Sequence, residues 1–136
     1  EKFLQNIGND YSLTSIIRKD SMYDPEIVFF LKNPMVDKYG WTHLMQMHPD
    51  GSADYTSYKP EELDHASRWI VRTKNMEALG LALPATADAE GYNAEKKKGN
   101  IKTIKPMGTF IAHLRAGYLD KNSAQEMAQK IDDLQK

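Results

Sequence analysis

Apolar residues come in short runs bounded by turn-forming residues, a pattern that predicts strands rather than helices over most of the chain. Ile27, Val28, Phe29, Phe30 and Leu31, preceded by Asp24-Pro25 and stopped by Asn33-Pro34, form a β-branched and aromatic run whose continuous apolarity predicts a strand buried on both faces. From Trp41 to His48 the period is two: Trp41, His43, Met45 and Met47 share one face, and Thr42, Leu44, Gln46 and His48 the other. The run His48-Pro49-Asp50-Gly51-Ser52 then supplies a turn into Ala53 to Tyr58, because proline presets φ and glycine accepts a positive one. A hairpin is predicted there. Lys59 to Asp64 reads as a short helical turn on the surface, and Arg68 to Thr73 as a strand with Trp69 and Val71 on one face and Arg68, Ile70 and Arg72 on the other. Ala78 to Leu83, stopped by Pro84, predicts a strand packed on both sides, and Thr109 to Leu114, closed by Gly117, predicts another.

The chain ends in a helical pattern. Ser123-Ala124-Gln125-Glu126 has the form of a capping box, and Ala124, Met127, Ala128, Ile131 and Leu134 make one apolar stripe, predicting a helix from Ser123 to about Leu134. Residues Glu1 to Asp20 show no clean period, and Ile7-Gly8-Asn9-Asp10 reads as a turn. The sum is a mostly β fold with a terminal helix, in a chain of 136 residues that fits one domain.

Composition narrows the function classes. A net charge of -1 argues against a dedicated nucleic-acid binder. The absence of cysteine removes disulfides, thiolate catalysis and thiolate metal sites, and suits a cytoplasmic protein. No apolar run approaches the roughly 20 residues of a membrane span, and Glu1-Lys2-Phe3-Leu4 has no signal-peptide core. The chain begins without methionine, which fits either a processed terminus or the C-terminal portion of a longer protein.

Candidate chemistry centres on the polar segment from Thr86 to Asn100, held between two apolar runs. It carries Asp88, Glu90 and Glu95 beside Tyr92 and Asn93. In Glu90-Gly91-Tyr92, glycine lets the chain turn tightly beside a carboxylate while the aromatic presents a flat apolar face. Sugar sites need both features. Lys96, Lys97 and Lys98 read either as a phosphate patch or as a solvated loop, and neither GxGxxG nor a Walker A motif is present. Of the four histidines, His43 and His48 stand five positions apart on opposite strand faces, which disfavours a shared metal. His65 lies in polar surface company, while His113 shares a face with Ile111 and Arg115 and either looks into a site or caps a packed face. Trp41 and Trp69 either fill a core or stack on a ligand.

The run LGLALPATADAEGYNAEKKKGNIKTI, with GWTHLMQMHPDGSADYTSY and the WIVRT strand, resembles the C-terminal part of an uncharacterised family related to aldose 1-epimerases, the galactose-mutarotase-like group. The likeness covers roughly Tyr39 to Gly117. It implies a β-supersandwich with a sugar cleft on one sheet, of which this chain is the C-terminal portion. It also implies carbohydrate binding, with aldose 1-epimerase activity as the enzymatic form. Such isomerases use a histidine as acid on the ring oxygen and a glutamate as base on the anomeric hydroxyl, without cofactor or metal. Carried here, Glu90 is the base and His48 or His43 the acid, with Arg72, Tyr92, Asn93, Trp41 and His113 as sugar contacts. The expected partner is a small-molecule carbohydrate, with no nucleic acid and no membrane. Two alternatives stand beside this reading: a non-catalytic sugar-binding β-sandwich module, and a structural or interaction domain whose sheet is completed by another chain or copy.

Overall fold

The hairpin around Pro49 is formed, and one of two sheets grows from it. A computed structural model describes residues 21 to 136. Strand β2 (Thr42–Met47) pairs antiparallel with β3 (Ala53–Tyr58), from Thr42 opposite Tyr58 to Met47 opposite Ala53. The turn closes through His48 N donating to Ser52 O at 2.8 Å and Gly51 N to His48 O at 3.0 Å, with Gly51 at φ 90, a conformation glycine adopts without steric cost. On its other edge β3 pairs with β6 (Leu114–Leu119), so β3 is central, and Ala53, Ser57 and Tyr58 are buried along it.

The second sheet consists of β1 (Tyr23–Leu31), β4 (His65–Arg72) and β5 (Glu77–Ala85). It has the order β1-β4-β5 and is also antiparallel. Its central strand β4 supplies Ala66, Ile70 and Val71 to the core. The pairing of β4 with β1 is regular from Ala66 to Ile70, whereas on the other side Ser67 faces Leu83 and Trp69 faces Gly80, so β5 carries one extra residue there. The two sheets meet where β5 approaches β2 and β3. Two helices complete the described chain: α1 (Tyr92–Lys98) and α2 (Lys121–Leu134), which packs against β2 and β6. Among the described residues the architecture is therefore mostly β, with a C-terminal helix, and no described helix is long and apolar enough to cross a membrane.

Several local expectations are corrected. The apolar runs at 27–31 and 78–83 do form strands, but both are edge strands with open faces: Val28, Phe30 and Leu83 are exposed. Apolar continuity cannot tell a central strand from an edge strand. Thr109 to Phe110 and on to His113 are not in a strand; β6 begins at Leu114, and Gly117 lies inside it opposite Tyr55 rather than closing it. The segment between Thr86 and Asn100 is not wholly irregular, since it contains α1, ended by Gly99 in the left-handed conformation at φ 83. Finally, α2 starts before the expected capping box. Asp120 is its cap, with its carboxylate accepting from Ser123 N at 2.8 Å, so Ser123 lies in the first turn. The expected turn at Ile7 to Asp10 lies outside the described residues.

Candidate functional site

A cleft of about 560 Å³ opens where the sheets meet. This is within the roughly 300–1,000 Å³ of small-molecule sites. Gln46, Met47, His48 and Pro49 line it from the end of β2 and its turn; Ile70, Val71 and Arg72 line it from β4, and Glu77, Ala78 and Leu79 from β5. Each strand end contributes consecutive residues, so side chains from both strand faces meet in the cleft. Ile70 and Arg72 share one face of β4 and Val71 lies on the other, while Arg72 pairs across the strand ladder with Glu77. The Arg72 guanidinium is ion-paired with the Glu77 carboxylate and stands 5.9 Å over the Tyr23 ring, which holds both charged groups at the rim. His48 Nε2 lies 3.2 Å from Asp54 Oδ2. Apolar walls with a few convergent polar groups, here an amide, an imidazole, a guanidinium and a carboxylate, suit a small polar ligand with an apolar face.

Behind Gln46 stands Arg68. Its Nη2 donates to Gln46 Oε1, its Nε is buried without a hydrogen-bond partner, and burial lowers the pKa of the guanidinium from its ordinary value.

His43 occupies a different setting. Its side chain is only 1% exposed, Nδ1 lies 2.8 Å from Tyr55 Oη, and Nε2 lies 3.0 Å from Asp37 Oδ2. Asp37 also accepts from Tyr39 N at 2.9 Å, Trp41 N at 3.1 Å and Lys130 Nζ of α2 at 3.0 Å. Burial acts to raise the Asp37 pKa, but the bonds from His43, Lys130 and the two amides outweigh it and hold the carboxyl well below the ordinary range. A second, smaller cavity of about 170 Å³ lies beside His43, between β2 and the end of α2, and is lined by Thr42, Leu44, Ile131 and Leu134. The arrangement ties the terminal helix to the first sheet.

The carboxylates of the Thr86 to Asn100 segment converge on one another. Asp88, Glu90 and Glu95 bring oxygens within 4.8 Å of each other, a donor set with metal-like spacing. The Lys98 ammonium already lies among them, 3.0 Å from Glu95 and 3.7 Å from Asp88 and in direct contact with Glu90, so the chain supplies its own cation. Glu95, with its side chain 3% exposed, accepts from Asp88 N at 3.0 Å and Asn100 Nδ2 at 2.7 Å and thereby closes the segment on itself. Burial would raise the Asp88 pKa, yet the hydrogen bond and charge of Lys32, with His65 and Lys98, lower it.

Of the residues expected to form one site, the structure brings His48 and Arg72 to the same cleft. His43 lines the smaller cavity. Glu90 is exposed, paired with Lys98, and lines neither cavity. Tyr92 and Asn93 are exposed at the start of α1, where Lys96 Nζ stands 5.7 Å from the Tyr92 ring centroid. Trp41 is half-buried and covered by Arg115, 3.8 Å from its ring. His113 is exposed and bound to Glu62 at 2.7 Å. Trp69, also half-buried, donates to Glu26 Oε2 at 2.5 Å. Sequence reasoning missed Gln46, Glu77 and Arg68. The opposite charges of Arg72 and Glu77 flanking the short link Thr73 to Met76 are the one local signal that could have revealed a hairpin-end pair. Compared with protein families, with curated proteins and with solved structures, the chain matches none.

Proposed function

We propose that this protein binds a small carbohydrate in the cleft between its sheets, and that the described fold is the C-terminal portion of a galactose-mutarotase-like supersandwich. The observation that carries the reading is the presence of a histidine and a carboxylate, His48 and Glu77, on the lining of one cleft of small-molecule size. Gln46 and Arg72 add hydroxyl-binding groups, and Ile70, Val71 and Leu79 offer apolar surface to the C-H side of a sugar ring. In the enzymatic form, an anomer exchange needs only an acid at the ring oxygen and a base at the anomeric hydroxyl, with no cofactor. His48 and Glu77 are the pair this cleft offers for those roles. The test is a titration of the isotope-labelled protein with galactose and glucose, followed by amide chemical shifts. Shifts clustered at Gln46, His48, Arg72, Glu77 and Leu79 are expected, and an unperturbed spectrum at high sugar concentration overturns the reading.

A second reading, an interaction domain whose sheet is completed by another chain or copy, is favoured by a different observation. Ile104, Met107, Phe110, Ile111, Leu114 and Tyr118 are all exposed along one continuous stretch that ends in the edge strand β6. An open edge flanked by exposed apolar side chains is a template for a further strand.

A further inference from the structure

We propose that the ligand of the cleft is anionic, a sugar carrying a carboxylate or a phosphate whose oxygens bind the Arg68 guanidinium at the place now taken by the Gln46 amide. This inference rests on the carbohydrate reading and names its substrate class. Arg68 is not itself on the lining; it lies one step down the β4 face that carries Ile70 and Arg72, in regular pairing with Phe29, and meets the cleft through Gln46. Its Nη2 reaches across the sheet junction to Gln46 Oε1, and Gln46 itself lines the cleft.

The charge balance is what points to an anion. Arg72 is matched by Glu77, and His48 by Asp54. Arg68 is matched by no carboxylate among the described residues; its acceptor is a neutral amide oxygen, and its Nε is buried with no acceptor. A guanidinium stays protonated in proteins, so desolvation cannot be relieved by losing the proton. A half-buried cation held by one neutral acceptor is electrostatically incomplete, and a ligand carboxylate or phosphate would replace the amide bond with charge-assisted, bidentate ones. The Gln46 side chain must rotate away from Arg68 and from Met47 O, to which its amide also donates, to let the ligand in.

Calorimetric titration of the full chain with glucose, glucuronate, glucose 6-phosphate and inorganic phosphate at low salt tests the idea. Glucuronate or glucose 6-phosphate should bind roughly 10-fold or more tightly than glucose, as charge-assisted bonds are about twice as strong as neutral ones. Which of the two binds better separates the carboxylate from the phosphate. The preference should vanish in Arg68→Gln and survive in part in Arg68→Lys. Gln46→Ala leaves Arg68 in place and removes both its competitor and a hydroxyl contact, so it should bind glucose more weakly yet keep or widen the preference for the acidic sugar, and the idea stays testable if Arg68→Gln does not fold. Equal affinity for glucose and both acidic sugars overturns the inference and leaves carbohydrate binding standing. Binding of inorganic phosphate alone, with no sugar of either kind, overturns the carbohydrate reading and with it the sugar named here.

Discussion

His43 Nε2 lies 3.0 Å from Asp37 Oδ2, with the two side chains 1% and 8% exposed, and Lys130 of the terminal helix closes on the same oxygen at 3.0 Å. One buried carboxylate thus joins the approach to β2, the strand itself and α2. Asp37 reaches this position because its other oxygen accepts from the amides of Tyr39 and Trp41, which fixes the turn ahead of β2.

Asp37→Asn should destabilise the protein, by roughly 1–3 kcal/mol at neutral pH, because it removes the charge that His43 and Lys130 share. The pH dependence follows from the depressed pKa of Asp37 in the folded state. Its contribution is fully present above the ordinary carboxylate value of 3.8, and is lost as pH falls from there through the folded value. Urea unfolding of parent and variant at pH 7, 5 and 3 should show the same gap at the first two and a smaller one at the third. A gap that does not change down to pH 3 would remove Asp37 from the acid sensitivity of the fold.

The same interactions show what could be read in the sequence. The Pro49 hairpin was legible because its turn chemistry and its period-two strands are both local, and β4 was legible for the same reason. The start of α2 was misplaced because two caps compete within four residues, and the aspartate at 120 captures the Ser123 amide that the capping box would have given to the Glu126 side chain. The cleft was half legible. His48 is marked by chemistry alone, but Gln46 and Arg68 are 22 positions apart and meet only through the packing of one sheet on another, which no local pattern reports. Likewise, Glu90 and Tyr92 look like a site in sequence because they are close along the chain. In the fold Lys98 turns back onto Glu90, and Tyr92 faces outward.

The exposed apolar row on β6 leads to a second expectation. Leu114, Ala116 and Tyr118 share one strand face and are all exposed, next to Phe110 and Ile111 on the preceding segment. The described core is small by comparison, with Tyr58 its only large side chain under 2% exposed. Sedimentation over a wide concentration range should show association, and a Leu114→Lys, Tyr118→Lys double variant should weaken it without loss of β-sheet signal. A strictly monomeric parent with a cooperative melt at high temperature counts against an interface on β6.

In the proposed enzymatic form, two glutamates compete for the role of base. Glu77 lines the cleft with His48 and is held at its rim by Arg72, whereas Glu90 is bound to Lys98 away from both cavities. A general base has to come within hydrogen-bond reach of the proton it takes, so geometry ranks Glu77 first. Replacing either glutamate by glutamine keeps its size and removes the proton acceptor. Polarimetry on freshly dissolved aldoses and on the acidic sugars should then show Glu77→Gln slower by roughly 10²-fold, with affinity little changed, and Glu90→Gln at the parent rate. The reverse result would place the base on the Thr86 to Asn100 segment and require that segment to meet the sugar. If the parent itself gives no rate above the spontaneous background while sugars still bind, His48 and Glu77 serve recognition alone, and the cleft belongs to a binding module.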